Sequence, residues 1–276
     1  MKTNYKNLAE TTLRIIQTGN YEVNGKTITI KEEIGDCVFD TKTYSPEALD
    51  LLLQKEPEQN GQDVQISVMH GSTIEAILHY QDTLKTAALN FASAKNPGGG
   101  FMGGAIAQEE SLARSSSLYA SQTKDLTLYN YNKKNPSFLY SDYMIYSPGV
   151  VFWMNDEGRF LENPVMVDVI TSPAPNKGAM LQHGRKQEIA DLETVFKKRM
   201  DKVFALAKSK GVERLILGAW GCGVFKNDYE DVAAYFAELI AEKYRYSFKE
   251  IVFAIYDRSK TKSSLEIFQR VVNHKP

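Results

Sequence analysis

Two cysteines in 276 residues, Cys37 and Cys222, are too few and too far apart for a disulfide framework or a cysteine-rich metal centre. A reduced, cytoplasmic compartment is the expected setting. Histidine is equally sparse: His70, His79, His183 and His274 show no H-x-x-x-H or other ligand spacing, so no catalytic metal is expected. Excess charge is missing too. With a formal net charge of −1 the chain has no overall field to gather a polyanion, and any anion must be held by a local site. No apolar run approaches the roughly 20 residues of a membrane span, and residues 1–17 are polar, without the apolar stretch of a secretory signal. Internal repeats and low-complexity tracts are absent.

What remains is the composition of an ordinary globular protein, 43% hydrophobic and 24% charged, long enough for one large core. Residues 4–18 read as an amphipathic helix stopped by Gly19, and residues 21–30 as a hairpin about Asn24-Gly25. Ser45-Pro46-Glu47 opens a helix over 46–54, and residues 56–62 read as a linker. The expected division is therefore an accessory layer, 1–62, and a core, 63–276. From Val64 strands and helices alternate, which predicts an α/β core with a parallel or mixed sheet. Strands are expected at 64–69, 87–91, 144–146, 150–153, 159–161, 165–172, 214–220 and 250–256. Helices are expected from the capping box Ser72-Thr73-Ile74-Glu75 and at 188–210, 229–244 and 263–272, while residues 129–141 read as an irregular excursion.

One stretch stands out. After the strand at 87–91 come Gly98, Gly99, Gly100, Gly103 and Gly104, five glycines in seven residues, and then Gln108-Glu109-Glu110 at a helix start. Glycine loses more backbone entropy on folding than any other residue, so such a loop implies positive φ or a ligand close to backbone N–H groups. A second strand, glycine turn and helix follows at Gly218-Ala219-Trp220-Gly221-Cys222-Gly223-Val224-Phe225. Neither loop is a Walker A motif or a Rossmann fingerprint. Two such loops in one core suggest a diphosphate held between them. Acids at a helix start can simply favour the helix dipole, worth about 0.3–1 kcal/mol each. Alternatively, one carboxylate holds a ligand hydroxyl while its neighbour, aimed elsewhere, acts as general acid and base in cleaving a glycosidic bond.

The spacing Gly98-Gly99-Gly100, seven residues, Gln108-Glu109-Glu110 resembles the GGG…QEE signature of the poly(ADP-ribose) glycohydrolases, in their microbial-type branch. Ser172-Pro173-Ala174-Pro175-Asn176, the loop Gly218 to Phe225, and Ala254-Ile255-Tyr256-Asp257-Arg258-Ser259 occur in the family's order, so the resemblance spans nearly the whole chain. It implies an α/β macrodomain-like three-layer fold with a mixed central sheet and an N-terminal helix and hairpin extension. It also implies hydrolysis of ribose–ribose O-glycosidic bonds, chiefly from chain ends, releasing ADP-ribose without a cofactor or metal.

By that resemblance Glu110 protonates the departing 2′-oxygen and then activates water, and Glu109 holds hydroxyls of the scissile ribose. Gln108 completes the signature, Gly98, Gly99 and Gly100 approach the ribose and diphosphate, and Gly221, Cys222, Gly223, Val224 and Phe225 form the diphosphate loop. Phe225 packs near the distal ribose and Tyr256 lies against adenine, while the rigid turn Pro173-Ala174-Pro175 on its own grounds puts Asn176 at the edge of a site. Ser93 or Asn96 takes the contact that an asparagine makes in animal members. The segment His70-Gly71-Ser72-Thr73 lacks the acid with which many macrodomains read adenine. Cys222 has no histidine partner for a nucleophilic role. The expected partners are poly(ADP-ribose) or ADP-ribosylated macromolecules, with ADP-ribose as product ligand and a monomeric state. Two other readings keep the fold: a non-catalytic ADP-ribose-binding macrodomain, and a hydrolase removing a single ADP-ribose from protein or nucleic acid.

Overall fold

The computed structural model describes residues 4–55, 59 and 61–273. The expected linker at 56–62 lies partly outside them, as does His274. The chain runs α1 (Tyr5–Thr18), β1 (Asn20–Val23), β2 (Lys26–Thr29), α2 (Lys31–Asp40), β3 (Lys42–Tyr44), α3 (Pro46–Leu53), β4 (Gln65–His70) and α4 (Thr73–His79). It continues through β5 (Thr86–Phe91), α5 (Gln108–Ser115), α6 (Leu118–Lys124), α7 (Thr127–Lys134), β6 (Met144–Met154) and β7 (Phe160–Ser172). Last come α8 (Lys177–Gln182), α9 (Lys186–Ser209), β8 (Arg214–Leu217), α10 (Tyr229–Leu239), β9 (Glu250–Ile255) and α11 (Ser263–Asn273). No helix among the described residues is long and apolar enough to cross a membrane.

Seven strands form one sheet in the order β3-β6-β7-β5-β8-β9-β4. The five from β7 to β4 are parallel, and β6 and β3 are antiparallel additions at one side. This is a mixed sheet, and its strands alternate between two apolar layers as a period of two requires. Leu89, Leu215, Leu217, Ile251 and Phe253 face α9, α10 and α11, where Phe196, Val203, Val232, Phe236 and Phe268 are buried. Ala88, Ile216, Val252 and Ala254 face the other way, onto Ile74 and Ile77 of α4, Leu112 of α5 and Leu118 of α6. Helices on both faces of a sheet give the three-layer α/β arrangement.

The residues ahead of 63 meet this core at several places, among them Leu49 of α3, buried with Phe196 and Val203, and the Thr12 hydroxyl, which donates to Arg114 O. Lys42–Tyr44 is hydrogen-bonded to β6 as an edge strand, and Ile15, Tyr21, Ile30 and Ile34 pack on Val151, Trp153 and Met154 of the same strand. The Asn24-Gly25 turn has positive φ at both residues, 50° and 73°, as its two-residue hairpin demands.

Several expected elements differ. Residues 129–134 are not irregular but belong to α7, whose buried face carries Tyr129 and Asn132 as well as Leu128. Asn132 satisfies its amide locally, on Leu128 O and Ser141 N, so a polar residue takes a core position and hides the apolar period. The strands expected at 144–146 and 150–153 are one strand with a register shift between Ser147 and Val150, where Gly149 takes φ 58°. Residues 160–161 and 165–172 likewise fall in the single strand β7, and Arg159 lies just ahead of it. The strand expected to reach Trp220 ends at Leu217, and the helix expected to reach Tyr244 turns π-helical after Leu239.

The capping box at α4 is formed on both sides: Ser72 Oγ accepts from Glu75 N at 3.0 Å, and Glu75 Oε2 accepts from Ser72 N at 2.7 Å. The Ser72 hydroxyl also donates to Asp156 Oδ2 at 2.5 Å, tying α4 to the β6–β7 turn. Ser72→Ala is expected to lower stability by about 1 kcal/mol. A thermal melt should show a Tm lower by roughly 2–4 °C for a chain of this size.

Candidate active site

Because β4, β5, β7, β8 and β9 are parallel, the segments that leave them emerge along one edge, the usual place for a ligand crevice in an open α/β sheet. A cavity of about 400 Å³ lies there. It is lined by Ser72 and Thr73 after β4, Gln108 and Ser111 after β5, Gly221, Gly223, Val224 and Phe225 after β8, and Tyr256 and Arg258 after β9. The two glycine loops follow β5 and β8, which are hydrogen-bonded neighbours; the second contributes Gly221 and Gly223 to the cavity lining, whereas Gly98, Gly99, Gly100, Glu109 and Glu110 are not among the lining residues.

The carboxylates occupy the first turn of α5, one residue apart and hence about 100° apart around the helix. Glu109 points inward and is 3% exposed. Its Oε1 accepts from Asn90 Nδ2 at 3.2 Å and Gln122 Nε2 at 2.9 Å, and its Oε2 accepts from Ser93 N at 2.6 Å. Burial pushes its pKa up to about 7 against the pull of these three donors. A carboxylate offers about four acceptor sites, so the one left over is on Oε2. Glu110 turns to the glycine loop, where its Oε1 accepts from Gly100 N at 2.9 Å.

Gly99 explains why the loop is glycine-rich. At φ 58° it crosses both acids so closely that a Cβ would stand 2.3 Å from Glu110 Oε1 and 3.2 Å from Glu109 Oε2. Gly98, at φ 66°, is buried against Phe101 and Ala113. Ser93 holds the loop entry, its Oγ accepting from Lys95 N and Asn96 N, and Asn96 O accepts from Gly99 N. Gln108 is braced inside: its Oε1 accepts from Phe91 N at 2.9 Å, and its Nε2 donates to Leu89 O at 2.8 Å and Thr73 Oγ1 at 3.1 Å. It thereby locks the start of α5 to the end of β5.

The second loop is shaped by Asn227, which is buried and donates to Pro175 O at 2.9 Å and Gly221 O at 3.1 Å. Gly221, at φ 77°, leaves no room for a Cβ beside Asn227 and Ala174. Val224 is 77% exposed at the loop tip, and the Phe225 ring lies 5.9 Å from that of Tyr140. The Cys222 thiol turns inward, toward Trp220 O and Asp228 O, and burial raises its pKa, which removes it from nucleophilic chemistry. Asn176 caps α8 through its Oδ1, which accepts from Ala179 N at 2.9 Å, and donates to the Tyr140 hydroxyl, so its amide is engaged beside the loop. Tyr256 is 56% exposed at the cavity mouth, with the Arg258 guanidinium 4.8 Å from its ring centre.

Four residues join the site that no sequence motif marks. Asn90 and Gln122 hold Glu109; asparagine inside the apolar strand Thr86–Phe91 is the one advance signal, since strands disfavour it. Tyr5 and Asp156 line the cavity from distant parts of the chain. Asp156 is held by Ser72, and burial raises its pKa. Among the described residues no three His, Cys, Asp or Glu side chains converge as metal ligands would.

Residues 9–155, rather more than half of the chain, match the family model described as "Microbial-type PARG, catalytic domain". No curated protein matches. The structure of poly(ADP-ribose) glycohydrolase from Thermomonospora curvata is similar over 96% of this chain and 98% of that one, with 39% identity and a TM-score of 0.91. The same enzyme bound to the inhibitor ADP-HPD gives 38% identity, the same coverage and a TM-score of 0.88. Poly(ADP-ribose) glycohydrolase from Deinococcus radiodurans in complex with ADP-ribose is 36% identical, with a TM-score of 0.83, over 92% of this chain and 99% of that one.

Proposed function

The chain belongs to the microbial-type poly(ADP-ribose) glycohydrolase family, and we propose that Glu110 and Glu109 divide the chemistry of cleaving ribose–ribose bonds in poly(ADP-ribose). The observation that carries this reading is the packing of both carboxyl groups beneath Gly99 and Gly100, one oxygen of each facing the glycine backbone. Glu110 delivers a proton to the departing 2′-oxygen and then takes one from the attacking water. Glu109 receives a ribose hydroxyl on the free acceptor site of Oε2. The diphosphate lies between the glycine loops, where its charge offsets the positive charge that develops on the opening sugar. ADP-ribose is the product.

Cutting from chain ends is supported by the N-terminal helix. Tyr5 lines the cavity beneath the Arg114 guanidinium, 4.6 Å from its ring centre, and Asp156 and Arg258 stand on the same wall. These groups narrow the adenosine side, where a continuing chain would have to pass. The free buried thiols Cys37 and Cys222 support a reducing, cytoplasmic setting.

The test is to incubate the protein in parallel with polymer, with a mono-ADP-ribosylated protein and with a mono-ADP-ribosylated nucleic acid, and to follow released ADP-ribose. Release from polymer alone is the expected result. Binding without release, or release from mono-modified substrate alone, would replace the proposal. Stacking of an exposed aromatic on a base is worth about 1–3 kcal/mol, so Tyr256→Ala is expected to weaken ADP-ribose binding by about tenfold in calorimetry.

A further inference from the structure

We propose that Gln122 of α6, assisted by Asn90 of β5, is a positioning residue that holds the Glu109 carboxylate ionised and aims its remaining acceptor site at the ribose. The inference rests on the role given to Glu109 above. Glu109 Oε1 is closed on both lone pairs by the two amides, so both donors act at the oxygen remote from Gly99. Oε2 is thereby turned to the loop. Gln122 Oε1 and Asn90 Oδ1 are buried and make no hydrogen bond among the described residues, so nothing on the carbonyl side fixes the direction of the Gln122 amide.

Asn90 has a second tether, donating also to Thr171 Oγ1 at 3.2 Å, while among the described residues Gln122 Nε2 donates to Glu109 alone. Gln122 is therefore the residue whose loss leaves the strand undisturbed. The titratable groups that face Glu109 are Glu110 on its own helix and Tyr129 of α7, whose buried hydroxyl also lacks a partner among the described residues. Among the described residues, β5 and α6 contribute the two amides, the loop after β5 the Ser93 N–H, and β7 the Thr171 hydroxyl behind Asn90. Among the described residues no cation balances the acid, so neutral donors alone oppose its desolvation. Glu109 already titrates near 7 through burial, and each donor removed raises it further.

If the ionised form works, activity rises with pH through the Glu109 pKa, and loss of a donor moves that acid limb upward. A purely structural defect would lower the rate at every pH alike. Rates of ADP-ribose release are compared across pH for the wild-type chain, for Gln122→Met, which keeps the volume and removes the donor, and for Gln122→Glu, which adds an acid. The Glu109 carboxyl is titrated in parallel by carbon-13 NMR, its signal identified by its loss in Glu109→Gln.

A hydrogen bond to a charged group supports an upward shift of about one to two pH units in Gln122→Met, with activity recovering at alkaline pH. Gln122→Glu is expected to shift further, and it serves if the Met variant fails to fold. Unchanged Glu109 titration in the folded variants, or a uniform loss of rate, overturns the inference. Absence of ADP-ribose release by the wild-type chain would overturn the proposed function instead, since the NMR titration reads Gln122 acting on Glu109 without turnover.

Discussion

Glu110→Gln should reduce kcat for poly(ADP-ribose) by about three orders of magnitude, within the range that a positioned general acid and base contributes. ADP-ribose binding should hardly change. Glutamine is the same size, and its carbonyl oxygen can still accept from Gly100 N, the bond that now fixes the Glu110 side chain. What it lacks is a transferable proton for the departing 2′-oxygen. The clean readout is therefore a collapse in polymer hydrolysis beside an unaltered calorimetric Kd. A substrate whose leaving group departs without a proton should recover much of the lost rate. Full hydrolysis of polymer by the variant would remove Glu110 from the mechanism.

Gly99→Ala should have the next largest effect, a fall in kcat of about a hundredfold, because displacing a reacting group by about 1 Å carries that order of loss. The added methyl would overlap Glu110 Oε1 and press on Glu109 Oε2, so it displaces both acids at once. The residue also sits at φ 58°, where a side chain costs about 1–2 kcal/mol, so the melting temperature should fall as well. Gly103→Ala is the control: its Cβ would meet nothing within 4 Å and its φ is not positive, so activity should stay within about twofold. Equal activity of the two variants would show that the loop does not set the carboxylates.

These residues are among the most legible parts of the chain, because a run of glycines and adjacent acids at a helix start are costly arrangements that need a reason. The α/β alternation is equally open to reading, with β5, β8 and β9 each marked by apolar runs and α9 by its long period. Other elements escape because their cause lies elsewhere in the chain. Helix α2 has Ile30 at its N-cap with no capping side chain, and it carries Gly35 in its interior, so packing against β6 must sustain it. Helix α7 buries an asparagine, which no periodic reading counts as core. Asn90 and Gln122 stand 32 positions apart with no motif between them, and only the closeness of β5, α5 and α6 gathers them around one carboxylate. Asp156 similarly reaches the cavity through the β6–β7 turn, far in sequence from the segment after β4 where macrodomains often carry an adenine-reading acid.

The two tryptophans mark different parts of this assembly. Trp153 of β6 is packed with Ile15, Tyr21, Ile30 and Ile34 of the N-terminal layer. Trp220 lies at the base of the second glycine loop, donating its indole N–H to Ser172 O at 3.2 Å and meeting the Phe196 ring edge-on at 5.2 Å. Both are fully buried, Trp153 within the cluster of the N-terminal layer and Trp220 within the larger core cluster that includes Phe196. The chain thus carries a native pair of fluorophores: emission from Trp153 follows the docking of the N-terminal layer, and emission from Trp220 follows the base of the second glycine loop. Exchanging either for phenylalanine leaves a single optical signal for the other half of the molecule.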